Sequence, residues 1–324
     1  MISGFAKHRD HSISPIETLE SAKPLFADDS GFVWIDLEAP TEAELQTLQE
    51  IASLDAEAIE DCVLGDQRPR VDEFESYLFI LLYGLLGSEQ QSDVAPRKLA
   101  AFLGPHFLIT VHTQPLRTMR AMRERCTRNS GKALGDGVDG VLYRIIDGMV
   151  DKYLLVADQY EVRLQQLEDR SLDESADEDL IPDVNDLRRE LLDMRRLAVS
   201  QRELLSPLAS GEFDHVSERL EGRFRHVADH LAQVIDVVDS MRERLNGVRD
   251  NYHTAVADRT NAAMKTLTTV ATIMLPLSLI AGIYGMNVPV WPSGEDPRYF
   301  WMVLGFMGLL GGALAVWFRR MRWL

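Results

Sequence analysis

At steps of three, four and seven residues, the chain places Asp250, Ala257, Asn261, Met264, Leu267, Thr268, Ala271, Leu275, Ser278 and Gly282 along one side of a helix. That side is mostly small or unbranched. Asp250, Asn261, Thr268 and Ser278 carry oxygens able to hydrogen-bond the water shell of an ion, and Met264, Leu267, Ala271 and Leu275 form an apolar stretch that can dewet and close. The same spacing fits a packing seam between helices, where small residues also concentrate, so spacing alone leaves both readings open. The run ends on Gly285, Met286 and Asn287, an amide closing an otherwise uncharged segment.

Other residue types narrow the chemistry. His226 and His230 stand four apart on one helix face with Asp229 between them, a spacing that could hold Zn2+, Ni2+ or Co2+. The ordinary reading is two histidines on a solvated face, because no third ligand is evident in the sequence. His106 and His112 flank a predicted strand and read as packing or surface residues. Residues 168–186 hold nine acids and one arginine, the composition of a solvated turn between helices, which in a multi-copy assembly would also form a cation-concentrating rim. Cys62 and Cys126 form no CxxC pair, which argues against a disulfide framework or cysteine zinc site and fits a reducing compartment. No Walker loop, GxSxG or HExxH occurs, so a hydrolytic enzyme is not expected.

Two uncharged runs of about 20 residues must position these groups. LTTVATIMLPLSLIAGIYGM (about 267–286) and YFWMVLGFMGLLGGALAVWF (299–318) would each span about 30 Å as helices, the thickness of a bilayer's hydrocarbon core. Tyr299, Trp301, Trp317 and Trp323 flank the spans, and Arg319, Arg320 and Arg322 predict a cytoplasmic C-terminus. The N-terminal stretch lacks an apolar signal core and is expected inside too, as two spans require. The connector 287–298 then faces outward, with Asn287 at the outer mouth. Two spans cannot enclose a water-filled path, so conduction would need a helix from each of several copies.

Upstream, GFVWIDLE reads as a strand and Thr41 with Glu44 as a helix-starting capping box. A strand is predicted from Tyr77 to Leu86, and KLAAFL-GP-HFLITVH as a hairpin, all in one small sheet flanked by helices. From Gly140 helical periodicity takes over, and a helix of about 70 residues, about 100 Å, is expected from about Asp214 into the first span. The expected divisions are an α/β cytoplasmic domain (1–135), long antiparallel helices (136–213), a stalk helix continuing into the first span (214–286), a loop (287–298), the second span (299–318) and a basic C-terminus (319–324). Charge divides similarly: residues 1–260 carry 29 bases against 49 acids, and residues 261–324 carry five against two. So acidic a front repels nucleic acid and attracts cations.

DRTNAAMKTLTTVATIMLPLSLIAGIYGMN, followed by a short loop, a second span and a terminus ending RRMRWL, resembles the CorA family of divalent metal ion transporters, of which YGMN is the signature. QRPRVDEFESYLFILL, FLITVH, DGMVDKYLLVADQYE, LRRELLDMRR and FRHVADH extend the resemblance over nearly the whole chain. It implies a funnel-shaped homopentamer in a bacterial-type inner membrane, with lipid around it, passing hydrated Mg2+, often Co2+ or Ni2+, down the membrane potential. It further implies that Gly285, Met286 and Asn287 form the outer filter, Met264 and Leu267 the apolar gate, and Asn261 and Asp250 polar pore positions. Family members with an inhibitory metal site between subunits tend to place acids where this chain has His226 and Ser88, with Glu89 adjacent, so regulatory metal would fall to Glu89, His226, Asp229 and His230. The loop VPVWPSGED also lacks the family's acid soon after the signature. A ZntB-like zinc transporter and a non-conducting membrane-anchored sensor therefore stand as alternatives.

Overall fold

The computed structural model describes residues 1–324 apart from 11, 27–30, 66, 89–90, 173–178, 287–296, 322 and 324. The order of elements is β1 (Ile2–Lys7), β2 (Ile13–Ile16), α1 (Leu19–Phe26), β3 (Phe32–Glu38), α2 (Glu42–Ala52), α3 (Ala56–Val63), β4 (Arg70–Glu73), β5 (Leu78–Ser88), β6 (Gln91–Leu103), β7 (Phe107–His112), α4 (Arg117–Ala133), α5 (Val138–Leu172), α6 (Leu180–Ser210), α7 (Glu218–Tyr284) and α8 (Pro297–Arg320). They form two compact units, one of residues 1–170 with 179–247 and one of 171–178 with 248–324.

The first unit is built on a seven-stranded sheet of order β2-β1-β3-β7-β6-β5-β4, antiparallel except between β3 and β7. Alternation assigns its faces. Ile35, Phe79, Phe102 and Val111 join one core with Leu19 of α1, Leu48 of α2 and Ile59 of α3. The capping box is present: Glu44 N donates to the Thr41 hydroxyl at 3.3 Å and Thr41 N donates to the Glu44 carboxylate at 2.7 Å. The Gly104-Pro105 hairpin joins β6 to β7 as expected. The long helix begins at Glu218 rather than near Asp214: Val216 N donates to Phe213 O in a turn that precedes it, and Leu220 N donates to Ser217 O as the helix starts.

The opposite sheet face carries a polar network. The Trp34 indole donates to the Thr110 hydroxyl at 3.2 Å, which donates to Asp36 at 2.8 Å. His112 Nε2 lies 3.3 Å and Arg123 of α4 3.5 Å from the Asp36 carboxylate, contacts that are ionic rather than well-aligned hydrogen bonds. Arg123 also donates to Glu38 at 2.9 Å, so α4 is fastened to the end of β3. Burial opposes charge on His112, but the Asp36 carboxylate outweighs it and raises the imidazole above its ordinary value of 6.5. Both cysteines are buried and free, and burial pushes their thiols up to about 12 at Cys62 and about 11 at Cys126, so they stay protonated at neutral pH.

A second network closes the sheet where β4 stops short of Tyr83. Tyr83 N donates to Gln201 of α6 at 3.3 Å, the Tyr153 hydroxyl of α5 donates to Tyr83 O at 3.0 Å, and Gln201 Nε2 donates to that hydroxyl. These groups replace a strand partner for a buried backbone.

Gln201→Leu strands the Tyr83 N–H and is expected to lower stability by about 1–3 kcal/mol, read as a lower denaturant midpoint; an unchanged midpoint would count against the network. His112 contributes its full stability below pH 6.5 and loses it as pH rises through its raised value. Wild-type stability should therefore fall with pH relative to His112→Gln across that window, and parallel profiles would refute the pairing with Asp36.

Candidate ion pathway and metal-binding residues

In the second unit, α7 and α8 run antiparallel. Thr269, Ile273, Leu277 and Ile280 are sheltered positions of this part of α7, and Val303, Met307, Gly311, Leu314 and Phe318 are sheltered positions of α8. A Cβ added at Gly311 would lie 3.5 Å from the Leu277 side chain, so this glycine sits where the two helices meet. At 100° per residue, the stripe of Met264, Leu267, Thr268, Ala271, Leu275, Ser278 and Gly282 centres about 180° from the α8-facing stripe. All seven residues, with Asp250 and Asn261, are exposed, Met264 by 54%, Leu267 by 71% and Leu275 by 70%. Within one chain the stripe is thus not a seam against α8.

Its polar groups are unspent. Thr254, Thr260, Thr266 and Thr269 each donate their hydroxyl to the carbonyl four residues back, at 2.8–3.0 Å. Asn261, Thr268 and Ser278 on the candidate face make no hydrogen bond through their side chains among the described residues. A cavity of about 760 Å³ brings Asn261, Met264 and Thr268 together with Asp258, Lys265 and Trp323. The helix passes through Pro276 and ends in a last turn in which Gly285 N donates to Ala281 O at 2.9 Å and Met286 N to Ile283 O at 3.3 Å. Asn287 and Glu89 lie outside the described residues.

On α7 in the first unit, the His226 and His230 rings meet edge to face with centroids 4.2 Å apart; His226 and Asp229 are exposed. His230 Nδ1 is buried without a hydrogen-bond partner. Asp147 of α5 feels both histidines: burial and then the like charge of Asp151 raise its carboxyl above the usual range, while His230 and His226 pull it down. Asp147 and Asp151 are also four apart, a signal visible in DGMVDK that only the pairing of α5 with α7 makes relevant. Among the described residues no three His, Cys, Asp or Glu groups converge on a point that could hold a metal ion. The acidic stretch is less open than its composition suggests: Glu168 accepts from Arg244 at 2.7 Å and Arg170 donates to Asp183 at 2.6 Å. His106 is exposed and His112 buried in the Asp36 network.

An α/β unit followed by two apolar helices, long enough to cross a bilayer and almost wholly unburied, defines a membrane protein with two C-terminal spans. The chain belongs to the CorA family: the description "CorA-like Mg2+ transporter protein" matches residues 29–320. It is 30% identical over 310 residues to the cobalt/magnesium transport protein CorA of Thermotoga maritima, covering 94% of this chain and 87% of that one. It is 24% identical over 298 residues to the zinc transport protein ZntB of Cronobacter sakazakii, covering 90% and 88%. The full-length CorA structure from Methanocaldococcus jannaschii superposes with a TM-score of 0.86 at 22% identity, covering 100% of this chain and 99% of that one, which establishes the shared fold. The chain is thus a divalent-cation transporter of the inner membrane, with its large N-terminal part cytoplasmic.

Proposed function

We propose that the chain is one subunit of a pentameric, channel-like importer of hydrated divalent cations, chiefly Mg2+ and also Co2+ or Ni2+, driven by the membrane potential. The observation that carries this reading is the exposed stripe of α7, whose unpartnered Asn261, Thr268 and Ser278 alternate with uncovered Met264, Leu267 and Leu275 and lead to Gly285-Met286-Asn287. Five copies of that stripe around an axis make a lining that meets water rather than lipid. Asp250 lies on its cytoplasmic continuation.

The chemistry suits Mg2+, which sheds its waters reluctantly. A ring of neutral Asn287 amide oxygens accepts hydrogen bonds from the coordinated waters and selects the ion without dehydrating it. Below it, Leu275, Ala271, Leu267 and Met264 form the constriction that dewets to close. Regulation follows from charge: residues 1–260 carry 29 bases against 49 acids per copy, so cytoplasmic Mg2+ bound between copies offsets repulsion and holds the closed state, and its loss loosens the ring. His226, Asp229 and His230, with Glu89, are the regulatory candidates, and Asp147 and Asp151 join them in this reading. A softer ion than Mg2+ suits the imidazoles.

A zinc-transporting alternative is favoured by that histidine pair. A single assay separates the readings. Protein in liposomes should pass Mg2+ down an applied potential, with Zn2+ competing weakly, and Asn287→Ala should reduce the flux at least tenfold. Unaltered flux in that variant would contradict the filter, dominant Zn2+ uptake would favour the zinc reading, and no flux of any ion would favour the sensor.

A further inference from the structure

Against the acidity of the whole chain, net −17, α4 is strongly basic: Arg117, Arg120, Arg123, Arg125, Arg128 and Lys132 stand against one acid, Glu124. Its buried side, Met119, Met122 and Cys126, leaves Arg117, Arg120, Arg125 and Arg128 in an exposed arc of about 140° at 100° per residue. Arg123 is spent inward on Asp36 and Glu38, and Arg128 pairs with Glu124 at 3.0 Å. Arg117, Arg120 and Arg125 make no ion pair among the described residues. Like charges three and four apart weaken a helix. Such a face is retained at a cost in stability unless an anion neutralises it.

Beside this face lies a cavity of about 610 Å³, lined by Arg120, Arg123, Glu124, Thr127 and Arg128 of α4 and by Met1 and Glu38. Both carboxylates are already paired with arginines, leaving the Arg120 guanidinium unspent at the rim. We propose that α4 and this cavity bind a phosphate-bearing anion, a soluble polyphosphate chain of the nucleoside triphosphate kind. The planar, multi-donor guanidinium matches phosphate oxygens better than any other side chain, and Arg120 presents one at the cavity, with Arg117 and Arg125 on the same exposed arc. A long polyanion such as duplex nucleic acid would instead meet the acids of the rest of the domain. The site is independent of the ion pathway.

Titration calorimetry of the full-length protein in detergent micelles with inorganic triphosphate, with and without Mg2+, tests this. Saturable binding is expected, weakened at least tenfold by Arg120→Glu combined with Arg128→Glu, and at least threefold by the milder Arg120→Gln, with circular dichroism confirming that each variant is folded. Absence of saturable binding to the folded wild-type protein would overturn the proposal, as would equal affinity in both folded variants. Binding to vesicles of anionic phospholipid with none to free triphosphate would also overturn it, assigning the face to lipid headgroups. Binding can be read whether or not the protein conducts ions, so failure of the transport reading would leave this result standing.

Discussion

A single chain cannot cover its own membrane-spanning helices. Leu267, Leu275 and Leu309 are each at least 70% exposed, and α7 and α8 shelter only one stripe of each other. Apolar surface left to water costs roughly 25 cal/mol per Å², so lipid or other copies must take it up. The backbone poses no such problem, because a helix satisfies its own N–H and C=O groups even in hydrocarbon. The side chains of Asn261, Thr268 and Ser278 do, since an unpartnered amide or hydroxyl facing lipid is penalised. In the proposed assembly those groups turn to a shared aqueous axis while the outer surface of α8, with Trp301 and Leu309, meets lipid.

The first unit solves the opposite problem. It draws polar groups inside and gives key ones partners: Gln201 and Tyr153 complete the unpaired end of β5, and the Asp36 charge is compensated by Thr110, His112 and Arg123. On its helical surface, arginines bridge neighbours, as Arg195 does to Asp239 at 2.7 Å and Arg244 to Glu168 at 2.7 Å. Half-exposed pairs of this kind are worth at most about 1 kcal/mol each. They temper the acidity of the helices without removing it, which leaves net negative charge available to cations.

The features legible in the sequence were those set by local pattern. Two uncharged runs give the spans because a bilayer demands one contiguous length, and Thr41 with Glu44 gives a helix start because both partners lie within one turn. Strands β1 and β2 carry no clear signal in the sequence because they are short and only partly buried, and β2 contains Pro15. β4 has four residues, none of them buried. The Asp36–His112–Arg123 contact joins residues 76 and 87 positions apart, and no periodicity signals it. His226 and His230 are visible as a pair, whereas the Asp147 that feels their charge depends on how α5 packs against α7. The α7 stripe was found by spacing, but its being open rather than packed on α8 required the structure.

The central claim is that copies of the chain meet along this open stripe. Leu275→Cys, placed on it in a chain whose two native cysteines are buried, allows a direct test by oxidative cross-linking in native membranes. Disulfide-linked dimers, the most that one reactive cysteine per copy can form, with none formed by a cysteine at Leu309 on the outer face of α8, are the expected result. A chain that remains uncross-linked at position 275 while transporting ions would contradict the account.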